Sequence, residues 1–124
     1  MTTNIILVGV GGMLGSILRF LAGHFINPVP HSGFPYGTFT VNVVGSLLIG
    51  MVFGLSQRYE WMTPELRVFL AVGFCGGFTT FSAFAYENIV MLQAKDYVTF
   101  ALYSVLSFVV CLAATVIGLF LSKG

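Results

Sequence analysis

Charge is what this chain has least of. Its 124 residues include five Lys or Arg and four Asp or Glu, only 7% in all. A soluble domain of this length needs a polar surface, and so few charges cannot cover one. Hydrophobic residues make up 57%, and the mean hydropathy is +0.98, the composition of an integral membrane protein. A formal net charge of +1 gives nucleic acid nothing to bind, so no nucleic-acid partner is expected. Cysteine is scarce too. There are two, Cys75 and Cys111, both inside apolar segments, too few to make a disulfide framework or a metal-ligand cluster. They read as small buried side chains. No Lys or Arg precedes the first apolar run, MTTNIILVGVGGMLG, where a cleaved signal peptide carries its basic region. The first helix is therefore expected to be retained.

Long apolar runs are what the chain does have. A hydrocarbon core of ~30 Å needs about 20 apolar residues in helix. Four segments meet that need, at residues 5–26, 38–56, 65–93 and 98–121. The fold expected is all-α, integral to the membrane, a single domain of four transmembrane helices. Residues 27–36, NPVPHSGFPY, hold three of the four prolines and break the first helix from the second. Thr63-Pro64 suits an N-cap followed by proline at the first helical position.

The third segment is too long for a simple span, since about 29 residues at 1.5 Å rise reach roughly 43 Å. In its middle stands GFCGGFTTFSAF, Gly73 to Phe84. Glycines and paired threonines invite the backbone to unwind. Phe74, Phe78, Phe81 and Phe84 recur there at helical spacing. Irregular backbone at membrane depth is tolerated only where protein buries it or a wet cavity meets it. The stretch thus predicts two half-helices meeting around Gly76–Thr80, with exposed carbonyls and amides that need partners. Gly11/Gly15 and Gly50/Gly54 are GxxxG pairs, the latter extended by Ser46, and predict close helix packing.

Polar residues inside the helices form stripes. Thr38, Asn42 and Ser46 recur at i, i+4, i+8 in the second helix, and Tyr103, Ser107, Cys111 and Thr115 repeat the spacing in the fourth. Such stripes either bind helices together or line a path. Asn42 has two donors and an acceptor to satisfy. Arg19 lies near the end of the first helix, where it can snorkel to the interface. Glu87 follows Phe84 by three residues, and no acid precedes Glu60. The pattern suits an anion path with no fixed charge along it. Hydroxyls and an amide donate weakly, and phenyl rings such as Phe81 and Phe84 offer positive edges.

Arg58, Arg67 and Lys123 fall on one side of the expected topology and Arg19 and Lys95 on the other. So even a Lys/Arg split sets no clear orientation. Four helices are also thin walls for a pore. Both features favour an oligomer, most simply an antiparallel homodimer.

These motifs resemble the Fluc (CrcB) family of small fluoride channels over the whole length. The resemblance rests on GGMLGSILRF (Gly11 to Phe20), YGTFTVNVVGSLLIG (Tyr36 to Gly50) and GFCGGFTTFSAF, in order and at the family's spacing. It implies a passive fluoride channel of the prokaryotic plasma (inner) membrane, a multi-pass protein that confers fluoride resistance. HF enters from acidic surroundings and ionises in the cytoplasm, and the channel lets the trapped fluoride leave. The resemblance also implies a dual-topology homodimer in the lipid bilayer, with a structural Na⁺ at its centre. The carbonyls of Gly76 and Thr79, from both subunits, match its ligands. Asn42, Phe81, Phe84, Ser82, Tyr103 and Ser107 match positions of the fluoride pore, and Arg19, Glu87 and Thr38 match further family positions or the polar stripe. Ala83 stands where many members have threonine, and Cys111 where some do. These departures thin the polar track and bear on conduction rate.

Two other classes compete. A small proton-coupled multidrug exporter needs a titratable carboxylate in its pathway, placed in the first helix. Here only Glu87 is available. A membrane protein of purely structural role would transport nothing. No enzymatic constellation is present in the sequence.

Overall fold

The computed structural model describes residues 1–26 and 34–123. Helix α1 spans Thr2–Ile26 and α2 spans Tyr36–Arg58. The third segment, Pro64–Gln93, is composite. It opens with α3, Pro64–Arg67, and widens into a π-helix, π1, at Val68–Cys75. A short α4, Gly76–Phe78, and then α5, Phe81–Gln93, complete it. Helix α6 runs Tyr97–Lys123. Every regular element among the described residues is helical, and all four segments are long and apolar enough to cross a membrane, as a multi-pass membrane protein requires. The helices extend a little beyond the ends expected from hydropathy. Residues 27–33 of the proline-rich loop lie outside the described residues.

Local chemistry sets the ends. Thr63 Oγ1 accepts from the Leu66 amide at 3.2 Å, with Pro64 at the first helical position. Between α5 and α6 the Asp96 amide donates back to the Met91 carbonyl at 2.9 Å and that of Lys95 to Leu92 at 3.1 Å. This closure puts Lys95 at φ 59°, where glycine is usual. Asp96 Oδ1 then accepts from the Thr99 amide and starts α6.

The packing inverts that of a soluble protein. Small residues sit inside, Gly11 and Gly15 on α1 and Gly45, Gly50 and Gly54 on α2. Large apolar side chains face outward, with Phe108 72% and Phe120 67% exposed. Helix α2 packs along α6, and α1 packs against π1 and α4. Gly50 and Gly54 meet the α6 backbone, as their spacing predicts.

The glycines of the third segment do not unwind it, contrary to expectation. Gly76 has helical dihedrals, φ −61° and ψ −38°. Gly77 serves close approach: a Cβ there would stand 2.5 Å from the Gly12 carbonyl oxygen of α1. The extended residues are Thr79 (φ −85°, ψ 160°) and Thr80 (φ −150°, ψ 122°). Both have side-chain oxygens that compete with the helix for backbone partners. Thr79 Oγ1 donates to the Cys75 carbonyl at 2.8 Å, and Thr80 Oγ1 accepts from the Ala83 amide at 3.1 Å, capping α5.

Candidate functional site: a cavity at the helix break

Breaking a helix strands its backbone groups, and each must find a partner. Asn42 on α2 meets two of them. Its Oδ1 accepts from the Thr80 amide at 2.8 Å, and its Nδ2 donates to the Thr80 carbonyl at 3.1 Å. The side-chain amide pairs with one residue as a neighbouring strand would. Arg19 meets a third: its Nε donates to the Gly77 carbonyl at 3.0 Å. Arg19 therefore turns inward to the break and does not snorkel to the interface.

Two carbonyls are left over. In an unbroken helix the Thr80 amide would bond the Gly76 carbonyl, but here it is committed to Asn42. The Ala83 amide would bond the Thr79 carbonyl, but it is committed to Thr80 Oγ1. Among the described residues no donor reaches either oxygen. Paired carbonyl oxygens of this kind suit a hard cation, which takes oxygen ligands.

Beside the break lies a cavity of ≈ 490 Å³. Asn42 and Ser46 line it from α2, Gly76, Thr79 and Thr80 from the break, Phe81 and Phe84 from α5, and Ser104, Ser107 and Phe108 from α6. Among these described residues no Asp, Glu, Lys, Arg or His reaches the cavity wall. The Phe81 and Phe84 rings sit 5.5 Å apart, tilted by 40°. Ser107 is buried and its Oγ has no hydrogen-bond partner. A buried hydroxyl normally finds one, so Ser107 has a proton to offer whatever enters. The wall thus combines hydroxyl and amide side chains with two phenyl rings and has no charged side chain to repel an ion of either sign.

Residues 6–119 match the family model described as "CrcB-like protein, Camphor Resistance (CrcB)". A protein of Azobacteroides pseudotrichonymphae named fluoride-specific ion channel FluC is 41% identical over 123 residues, covering 99% of this chain and 98% of the relative. Proteins of the same name from Gloeothece citriformis and Flavobacterium psychrophilum are each 44% identical over 120 residues, covering 97% of both chains. The chain belongs to the CrcB-like family.

Within this CrcB-like chain the residues singled out by sequence fall into three places. Asn42, Phe81, Phe84, Ser107, Gly76 and Thr79 share the cavity. Thr38 and Arg19 line a separate hollow between α1, α2 and α5. Tyr103, Glu87 and Ser82 are not among the cavity's lining residues. Tyr103 is fully buried behind Phe84, with ring centroids 5.0 Å apart. Its hydroxyl donates to Glu87 Oε1 at 2.8 Å, while Thr38 Oγ1 donates to Glu87 Oε2 at 2.7 Å. One carboxylate thus ties α2, α5 and α6 together. Both hydroxyl protons point at Glu87, so neither is free for a passing anion. Glu87, the one carboxylate an exporter reading has available, thus serves as a tie between helices and is not among the cavity's lining residues.

Other stripe members are helix glue. Thr115 Oγ1 donates to the Ser46 carbonyl at 3.1 Å, across from α6 to α2. Phe74 and Phe78 stack on each other at 5.8 Å, and Phe78 is buried. Of the four phenylalanines in the motif, only the latter two reach the cavity. Thr80 was missed by sequence reasoning as an individual site residue. Its signal was present: a threonine directly before an apolar helical run is an N-cap pattern.

Proposed function

We propose that the chain is a passive, fluoride-selective channel that releases cytoplasmic fluoride and so confers fluoride resistance. The observation that carries this reading is an uncharged, donor-bearing cavity at a helix break, in a chain 41–44% identical along nearly its full length to proteins named for fluoride conduction. Ser107 supplies a hydroxyl proton, Asn42 its second amide N–H, and Phe81 and Phe84 the positive edges of their rings. Donors without fixed charge hold an anion weakly enough to let it go, which conduction requires. A gradient alone drives the flow, since nothing in the cavity takes up or hands on a proton.

The working unit in this reading is an antiparallel homodimer in a prokaryotic inner membrane. Phe81 is 77% exposed on the single chain beside the break, which a second copy would cover. The unpartnered carbonyls of Gly76 and Thr79 would hold a structural Na⁺ there, two oxygens from each chain. When bound, the ion would neutralise the carbonyls' negative ends; it would not be transported.

Fluoride-loaded proteoliposomes test the function. Protein is expected to release fluoride with no proton gradient and no ATP, and vesicles without protein to retain it. Release that requires an imposed proton gradient would refute a passive channel and revive the exporter reading. Release indistinguishable from protein-free vesicles would favour a structural protein.

A further inference from the structure

The chain's two thiols both line the wall of one cavity. Cys75 enters it from π1 and Cys111 from α6, and both are free. Cys75 is 2% exposed, whereas Cys111 is half-buried. One turn before Cys111 on the same helix stands Ser107, 8% exposed, whose Oγ has no partner. The wall therefore offers two soft sulfur donors from different elements and one orphaned oxygen. Soft thiol ligands select soft metal centres over the hard cations that oxygen favours.

We propose that Cys75 and Cys111 make this cavity a binding site for soft, thiophilic metal ions, of the class of methylmercury or Ag⁺, and that occupancy closes the cavity to anions. The last part rests on the channel reading above. The chemistry is a ligand exchange without change of oxidation state. A mercury–sulfur bond forms, the S–H bond breaks, and the proton leaves to water. Each adduct places a methylmercury group in the space beside Ser107 and Phe108. Cys111, the more exposed thiol, is the point of entry, and Cys75 lies deeper.

Methylmercury is the probe. The native chain, reconstituted in fluoride-loaded vesicles, is expected to take two mercury adducts by intact mass. Its fluoride release is expected to fall to the level of protein-free vesicles, and dithiothreitol to restore it. The Cys75→Ser/Cys111→Thr double variant is expected to take no adduct and to keep its own untreated rate. Adduct counting needs no conduction, so it separates failure of this site from failure of the channel reading. It also needs no variant: the folded native chain can be compared with the same chain unfolded in detergent. Folded chains that take fewer than two adducts, where unfolded chains take two, would overturn the two-thiol site. Equal block of the double variant would overturn its assignment to these cysteines.

Discussion

Asn42 holds both backbone groups of Thr80, so it is at once part of the cavity wall and the clasp of the break. Sequence spacing put Asn42 on a polar stripe but left open whether that stripe was glue or path. In the structure Asn42 clasps the break from a position on the cavity wall, and it can do so because a broken partner helix exposes an N–H and a C=O on one residue. Asn42→Ala leaves both groups unpaired, at about 1–3 kcal/mol each where buried. Asn42→Asp keeps the acceptor for the Thr80 amide but turns an acceptor toward the Thr80 carbonyl. Both variants are therefore expected to melt earlier in detergent than the parent and to conduct little fluoride, with Asp the worse conductor because its charge opposes the anion. An Asn42→Asp protein with parental melting and parental efflux would show that the clasp carries no weight. Thr80→Ala removes the cap on α5 and should cost about 1 kcal/mol, whereas Thr80→Ser should be nearly neutral. Thermal unfolding in detergent reads that difference.

The third segment shows where sequence reading stops. Hydropathy and length found all four apolar segments, because a membrane demands both from every helix. Length also announced that the third segment was not one straight helix. The GFCGGFTTFSAF motif placed the break around Gly76–Thr80, which contains the observed one at Thr79–Thr80, but neither the yielding residues nor the π-helical turn could be read, since glycine and threonine each weaken a helix and only packing decides which one yields. Gly77 stays helical because α1 presses on it at Gly12, and the adjacent threonines give way because their own side chains replace the lost bonds. Arg19 was misplaced for the same reason. Its partner, the Gly77 carbonyl, lies 58 residues away, and no local pattern points to it. Gly77→Val is expected to push α1 off α4, since the obstacle is backbone and cannot rotate aside. Overpacking of this kind costs about 1–3 kcal/mol or more. The expected outcome is loss of folded protein on size-exclusion chromatography, with Gly76→Ala, whose Cβ would meet only the Ala71 carbonyl oxygen at 3.9 Å, well tolerated within the single chain.

Orientation in the membrane rests on very few charges. With Arg19 turned to the break, Lys95 is the one basic residue displayed in the short turn between α5 and α6, against Arg58, Arg67 and Lys123 on the opposite side. Lys95→Gly is informative in two ways. It should relieve the left-handed strain at φ 59°, worth roughly 1 kcal/mol. It should also push the chains toward a single orientation. Accessibility of a C-terminal tag from each side of the membrane reads the second effect. If the working unit is an antiparallel dimer, the better-folded variant should nevertheless conduct less. Undiminished conduction by a one-way population would rule that dimer out. The proposal of an antiparallel assembly rests in the sequence on charge counting alone. The cavity was legible only as separate polar stripes, because the residues that join them lie on different helices.

A fluoride channel whose cavity wall carries no charged side chain would have to tell fluoride from chloride by donor geometry and size. The decisive measurement is efflux of fluoride and of chloride from the same proteoliposomes, loaded with both and given no proton gradient. Rapid fluoride loss with chloride retained near the protein-free level is the expected result. Comparable release of the two anions, or retention of both, would contradict a fluoride channel built on this break.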